Sequence, residues 1–282
     1  MTVHERVAAA RQHLRDAGLS TSEAELGARL LAEHALGWNS TRLIADGRDA
    51  EPPEFAARFD ALVTRRAARE PLAYIVGTRE FWGLTLEVTP EVLIPRVETE
   101  LIVEAALDLH PDRHGPLAVA DICTGSGCIA IALVHERPAW TVLATDISES
   151  ALTVAGRNAR RHGVDDRIRF VQADLLDRID GPFDLIVANP PYVRVGDRRG
   201  LQPEVREEPE VALYGGPDGV ETIERFVRQV PGRLKPGGSF IFEFGFGQDI
   251  EIETIIASSA LTLVDVRRDL QGIARTAITK LG

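Results

Sequence analysis

Apolar positions recur at helical intervals through the first 70 or so residues. Val3, Val7, Ala10, Leu14 and Ala17 fall on one helical face, and Gly18 supplies a stop. Ser20-Thr21-Ser22 offers N-caps ahead of Ala24-Glu25-Leu26, Leu30-Leu31 and Ala35-Leu36. Phe55, Phe59, Leu62 and Val63 mark a further helix after Pro52-Pro53. Between about 72 and 95 the pattern changes to alternation. Tyr74-Ile75-Val76, Phe81-Trp82 and residues 84–88 predict the strands of a glycine-punctuated hairpin. Phe81-Trp82 is expected to serve packing rather than direct contact with a substrate. From Arg96 to Gly282, strand and helix patterns alternate. Short apolar runs at 119–122, 141–145, 168–173, 183–188, 239–244, 261–267 and 276–280 predict strands, with helices at 128–133 and 220–230 among them. That order predicts an α/β fold, a parallel sheet with helices on both faces. No internal repeat or low-complexity segment is present.

Composition narrows the class. The chain has 282 residues, 44% hydrophobic and 27% charged, as expected of one large or two modest globular domains. It contains no apolar run long enough for a membrane span, and its N-terminus leads into an amphipathic helix rather than a secretory signal. Cys123 and Cys128 lack metal-site spacing and have no nearby His pair, so no metal site is expected, and buried thiols in a reducing cytoplasm are the simplest state. The net charge of −11 argues against a nucleic-acid enzyme, because phosphate contacts demand a basic face. Arg65-Arg66, Arg157 with Arg160-Arg161, and Arg198-Arg199 are the local exceptions, and each is expected on a solvated surface.

Chemistry concentrates at two strand ends. The strand 119–122 runs into Cys123-Thr124-Gly125-Ser126-Gly127 and then into a helix. Strand, Gly-x-Gly turn and helix open a nucleotide-binding unit in which glycine lets the backbone approach a ligand. Ala130 stands where a dinucleotide fingerprint has its third glycine, a permitted replacement. Asp146 closes the next strand at the spacing expected for an acid on ribose hydroxyls. Asp174 follows the strand after that, either as an acceptor for an adenine amino group or as a loop acid or helix cap. Asp121 is a candidate for ordering the glycine loop from beneath.

The second strand end carries Asn189-Pro190-Pro191-Tyr192. Consecutive prolines stiffen the backbone and remove two N–H donors. The carbonyls are then left as acceptors beside the Asn189 side-chain oxygen, with Tyr192 as an aromatic wall. Such a pocket suits a planar, uncharged NH2 group. As a bare tetrapeptide the motif is also ordinary turn chemistry.

Glycine loop, ribose acid, adenine acid and Asn-Pro-Pro-Tyr, in that order, resemble a class I methyltransferase that uses S-adenosylmethionine. With Val92-Leu93-Ile94-Pro95-Arg96-Val97-Glu98-Thr99-Glu100 upstream, the chain is similar to the HemK/PrmC-type family of peptide chain release factor glutamine N5-methyltransferases. Gly77-Thr78-Arg79-Glu80-Phe81-Trp82-Gly83, Glu208-Pro209, Glu243-Phe244-Gly245 and Asp269-Leu270-Gln271-Gly272 extend the likeness over nearly the whole chain, more loosely before about residue 70. Val97 and Ile122-Cys123 depart from the family pattern, which usually has a second proline and Leu-Gly there.

The resemblance implies a Rossmann-like sheet whose last strand is antiparallel, with a small N-terminal helical domain joined by a β-hairpin. Residues 1–71 would form the helical bundle and help grip the release factor, 72–95 the linking hairpin, and 96–282 the catalytic domain. It implies S-adenosylmethionine as cofactor, S-adenosylhomocysteine as product, and the glutamine of a Gly-Gly-Gln tripeptide as target. Cys123, Thr124, Gly125, Ser126, Gly127, Asp146, Asp174 and Asn189 would bind cofactor. Asn189, Pro190, Pro191 and Tyr192 would bind substrate, and Asn189, Pro190 and Tyr192 would carry catalysis. A cytoplasmic monomer with no membrane and no stable nucleic-acid partner is expected. The same tetrapeptide also suits an enzyme methylating adenine N6 or guanine N2, which would have to extrude its base and would usually carry a basic groove. A non-catalytic cofactor-binding module would lack the need for the acceptor pocket.

Overall fold

In the computed structural model, which describes residues 1–282, the chain divides into two compact units. One is Met1–Thr78 with Gln202–Glu207, the other Arg79–Leu201 with Glu208–Gly282. The first unit is helical: α1 (Val3–Asp16), α2 (Thr21–Leu36), α3 (Ser40–Asp46), α4 (Phe55–Ala67) and α5 (Leu72–Val76). Capping boxes start the first two. Thr2 with Glu5, and Ser20 with Glu23, satisfy amides that have no partner inside their helices. Val3, Leu14, Leu31 and Phe59 are fully enclosed in the core of this unit.

Two expectations fail here. Tyr74-Ile75-Val76 is not a strand but part of α5. Three apolar residues cannot distinguish the two periods. Pro71 at the N-cap and Gly77 at φ 79° punctuate a single helical segment, whose Leu72, Ile75 and Val76 pack into the helical core. Arg66 is not solvated but buried. It follows Phe59 by seven residues and Val63 by three, which places it on the buried face of α4. A buried guanidinium needs a partner. Its Nη1 donates to Glu204 Oε1 at 2.7 Å, and Arg69 Nη2 donates to Glu204 Oε2 at 2.8 Å.

A hairpin of β1 (Thr78–Phe81) and β2 (Leu84–Glu87) follows, all but Thr78 in the second unit, so the pairing expected over 72–95 is confined to ten of those residues, 78–87. Trp82 at φ 52° and Gly83 at φ 69° form its turn, with both central residues left-handed as tight hairpins require. Trp82 is held structurally, its backbone N–H on Glu100 and its indole N–H on Glu136, at 2.8 and 3.1 Å. After α6 (Glu100–Leu109) come β3 (Leu117–Ile122), α7 (Cys128–Glu136), β4 (Trp140–Asp146), α8 (Glu149–Arg161), β5 (Ile168–Gln172) and β6 (Phe183–Ala188). Then follow β7 (Val193–Arg194), α9 (Glu210–Leu213), β8 (Tyr214–Gly216), α10 (Glu221–Gln229), β9 (Leu234–Glu243), α11 (Asp249–Ala257), β10 (Leu261–Arg268) and β11 (Ala274–Leu281).

Seven strands form one sheet in the order β10-β11-β9-β6-β3-β4-β5. The five from β9 to β5 are parallel; β11 is antiparallel and lies between β9 and β10. Successive residues feed two cores. Leu185 and Val187 face one, Ile186 and Ala188 the other. Burial on both faces is why these strands read as unbroken apolar runs. From β3 the chain builds outward through β4 to β5, then crosses to β6 on the other side. That reversal is the switch point where ligands bind in open α/β sheets. No helix is long and apolar enough to cross a membrane.

Candidate active site

Sheet register brings the site together. Ile122 stands opposite Thr145 on one side and Ala188 on the other, so Cys123, Asp146 and Asn189 leave adjacent strands at one level. Asp146 pairs with Gln172, which puts Asp174 two residues beyond the same edge. These ends line a cavity of about 230 Å³ lying wholly within the second unit.

The wall at β3 and β4 is made largely of main chain. Cys123, Gly125 and Gly127 have φ of 61°, 55° and 82°, folding the loop back on itself. Of the three, only Cys123 takes the left-handed conformation without a glycine's freedom. Asp146 anchors the loop: its Oδ2 accepts from Gly125 N–H and its Oδ1 from Ser148 N–H, each at 2.9 Å. Burial raises its pKa, opposed by these donors. Asp121 lies beneath, fully buried. Its Oδ2 accepts from Thr124 Oγ1 at 2.6 Å and Ala130 N–H at 3.2 Å, while Oδ1 has no partner. Burial pushes this carboxyl up to about 7. Its role is to order the loop. Both cysteines are free thiols, raised by loss of solvent and nearby carboxylates, Cys128 to about 12. At the rim, Asp174 Oδ2 accepts from Arg225 Nη2 at 2.7 Å.

The wall at β6 and β9 is made of side chains. Asn189 Nδ2 donates to Thr99 Oγ1 at 3.0 Å. Thr99 Oγ1 donates to Glu243 Oε2 at 2.6 Å, and Tyr192 Oη donates to Glu243 Oε1 at 2.8 Å. Burial raises the pKa of Glu243, opposed by these two hydroxyls, and burial beside that carboxylate holds the Tyr192 phenol well above its ordinary value. The carbonyls of Pro190, Pro191 and Tyr192 differ. That of Tyr192 accepts from Gln248 Nε2 at 2.9 Å. A Cβ on Gly215 would come within 2.5 Å of the Pro191 oxygen, so Gly215 lets the loop cover it. The Pro190 oxygen takes no backbone hydrogen bond. Glu208, also buried, accepts from Ile94 N–H at 2.9 Å and Arg96 Nη2 at 2.5 Å, which fixes the segment bearing the lining residues Val92, Leu93 and Pro95.

Of the residues picked from the sequence, Cys123, Thr124, Gly125, Ser126, Asp146, Asp174, Asn189 and Pro191 line the cavity. Gly127, Pro190 and Tyr192 do not. Gly127 lies against α8, where a Cβ would stand 3.1 Å from Ala155 Cβ. Pro190 is buried, and Tyr192 packs into the core with its hydroxyl on Glu243. Sequence reasoning gave no role to Thr99, Glu243, Glu208, Tyr214 or Arg225. A lone carboxylate closing the apolar run Phe240-Ile241-Phe242 was a usable signal for Glu243. Arg225 has no local signal, because its partner is 51 residues away.

The donor set fits S-adenosylmethionine. Asp146 retains lone pairs for a ribose diol, Asp174 has an oxygen free of Arg225, and Ile147, Ala173 and Leu175 give an apolar seat for a base. Three carboxylates, Glu91, Asp146 and Asp174, with the single lining cation already paired, suit a cationic sulfonium better than a pyrophosphate. The basic pairs of the sequence are largely neutralised too: Arg65 by Glu70, Arg66 by Glu204, Arg157 by Glu87 and Arg198 by Glu210.

Comparison with known proteins agrees with this geometry. Residues 5–77 match the family described as PrmC N-terminal domain, and residues 99–202 the methyltransferase small domain. The release factor glutamine methyltransferase of Bradyrhizobium diazoefficiens is 44% identical, covering 90% of this chain and 86% of its own. That of Cereibacter sphaeroides is 40% identical over 94% of each chain. Among solved structures, a ribosomal protein L11 methylase from Lactobacillus delbrueckii superposes with a TM-score of 0.51 at 27% identity, over 66% of this chain and 81% of that one. A methyltransferase from Pyrococcus furiosus shares the fold, with a TM-score of 0.53 at 19% identity over 79% and 98%.

Proposed function

We propose, from the premise that the chain belongs to the family of release factor glutamine methyltransferases, that it transfers a methyl group from S-adenosylmethionine to the side-chain amide nitrogen (N5) of the glutamine in the Gly-Gly-Gln motif of peptide chain release factors. The observation that carries this reading is Asn189. It sits at the cavity wall with its NH2 given to Thr99, so its oxygen is the end left to receive a substrate. A basic groove, which an exocyclic-amine enzyme on nucleic acid would need, is not favoured by a net charge of −11 and paired arginines.

An amide nitrogen is a poor nucleophile, because its lone pair is delocalised into the carbonyl. S-adenosylmethionine supplies an electrophilic methyl group on a sulfonium centre. Asn189 Oδ1 accepts one N–H of the glutamine amide at the cavity wall, and the Pro190 carbonyl, which lies behind that wall but takes no backbone hydrogen bond, accepts the other as the substrate enters. This holds the nitrogen in the attacking orientation, and alignment of this kind contributes at most about 7–11 kcal/mol to lowering the barrier. Positive charge grows on the nitrogen during attack, so both acceptors bind the transition state more tightly than the ground state. As the nitrogen–methyl bond forms the methyl–sulfur bond would break, S-adenosylhomocysteine would leave, and the surplus N–H proton would pass to water. Pro190-Pro191 keeps those acceptors from relaxing. Tyr192, anchored by its hydroxyl, closes the apolar side of the turn. Asp146 orients the ribose and Asp174 the adenine of the cofactor. The helices of the first unit contribute to gripping the release factor. The enzyme works as a cytoplasmic monomer, where its substrate serves translation.

The test uses radiolabelled S-adenosylmethionine with a release factor, its Gln→Ala form in the Gly-Gly-Gln loop, and total RNA and DNA. Label on the intact factor alone is expected. Label on nucleic acid alone would overturn the substrate while keeping the chemistry of the turn.

A further inference from the structure

Glu243 is 1% exposed at the end of β9, and it is not part of the cavity wall. Yet the first and last residues of the proline turn both hang on it. Tyr192 reaches one carboxylate oxygen directly, and Asn189 reaches the other through Thr99. A hydroxyl on each oxygen, Thr99 at 2.6 Å and Tyr192 at 2.8 Å, favours the ionised form against the upward pull of burial, and an ionised carboxylate only accepts hydrogen bonds. Both hydroxyls must therefore give it their protons. A hydroxyl has one proton, so Thr99, having given its own to Glu243, can only accept from Asn189. The end of the Asn189 amide facing Thr99 must then be NH2, and the end facing away must be the oxygen.

This direction matters because a primary amide is nearly symmetric in shape. Turning it over costs little in packing, but it replaces an acceptor by a donor in front of the substrate NH2. N–H would then face N–H. Nothing in the cavity wall itself forbids the flip. The prohibition comes from a charge two hydrogen bonds away.

We infer that Glu243 is a positioning residue: through the hydroxyl of Thr99 its carboxylate fixes which end of the Asn189 amide meets the substrate nitrogen. The inference rests on the function proposed above. Glu243→Gln keeps the size of the side chain but must place an N–H before one of the two hydroxyls. Where that N–H meets Thr99, the threonine is free to donate to Asn189 and the order of the chain reverses. Thr99→Val cuts the link, and Thr99→Ser retains it.

The experiment is a double-mutant cycle read as kcat and KM on the release factor, with S-adenosylmethionine affinity by calorimetry and a melting temperature for each variant. Glu243→Gln and Thr99→Val are each expected to lower kcat about 10- to 100-fold, as loss of groups that orient or stabilise a reacting centre does. KM and cofactor affinity should stay within about threefold, and Thr99→Ser should recover kcat to within about threefold. Adding Glu243→Gln to Thr99→Val should cost nothing further, since the link it acts through is already cut. Full kcat in either single variant would overturn the inference, as would losses that multiply in the double variant. If Glu243→Gln fails to fold, the contrast of Thr99→Val with Thr99→Ser decides alone: equal kcat in the two overturns it. Wild-type label on nucleic acid would sink the release-factor reading only, and the same cycle would then be run on that substrate by the same criteria.

Discussion

The two walls of the cavity are built in opposite ways. At β3 and β4 the functional groups are backbone amides and carboxylates joined over short stretches: Asp121 binds Thr124, Asp146 binds Ser148, and the bond from Gly125 to Asp146 spans 21 residues. At β6 and β9 they are side chains joined over 90, 144 and 51 residues. Each wall has a buried carboxylate beneath it. Asp121 leaves one oxygen without a partner, whereas Glu243 has a hydroxyl on each. A wall of main chain holds a ligand's shape and tolerates loss of any one contact. A wall of polarised side chains sets the direction of a reaction, and loses it when one member changes.

The sharpest way to break this contrast is at Asn189. Asn189→Ala should lower kcat about 100- to 1,000-fold, the usual cost of removing a group that meets charge developing in the transition state, with cofactor affinity nearly unchanged. Unchanged turnover would end the proposed mechanism. On the opposite wall, Asp146→Ala should weaken cofactor binding about 10- to 100-fold, as expected for a charge-assisted hydrogen bond, while kcat at saturating cofactor falls far less. Titration calorimetry separates the two. A kcat defect with intact affinity would erase the distinction between the walls.

The buried carboxylates allow a finer test. The carboxyl of Asp121 titrates at about 7 in the folded protein against an ordinary 3.8, so the folded state holds the proton more tightly than the unfolded one. The stability this provides is present below about pH 4 and is lost as pH rises through 7. Wild type should therefore lose stability relative to Asp121→Asn, by about 2 kcal/mol between pH 5 and 7. Urea unfolding at the two pH values measures it, and a constant difference would mean that Asp121 stays ionised. The smallest effect belongs to the rim. Arg225→Ala should change cofactor affinity by no more than about threefold, and less at high salt, because the Asp174 pair is solvent-exposed.

What was legible in the sequence follows the same division. The parallel strands and their order of chemistry could be read because each is a continuous apolar run ending in a conspicuous residue: Asp146, Asn189, or the glycine loop. The end of α1 and the start of α2 were legible because caps are local, whereas Thr2 and Gly37, which cap their other ends, went unread. Tyr74-Ile75-Val76 misled because three residues do not establish a period. Glu243 and Thr99 lay inside segments that carried the family likeness, yet their joint role was hidden, since it depends on β9 lying beside β6 and on α6 crossing above them. Arg66 was hidden for a different reason: its charge suggests solvent, while its spacing from Phe59 and Val63 places it in the core.

The place of β11 has a consequence for biosynthesis. It lies between β9 and β10, although it is made after both. While the chain is being synthesised, β10 has no neighbour to join and β9 has an open edge at the strand that bears Glu243. Thr276 closes that edge directly opposite Glu243. A chain interrupted after β10 would hold every cavity-lining residue and still lack the strand paired with the one that bears Glu243. The sheet is thus completed out of the order of synthesis, its gap between β9 and β10 filled only when β11 has emerged.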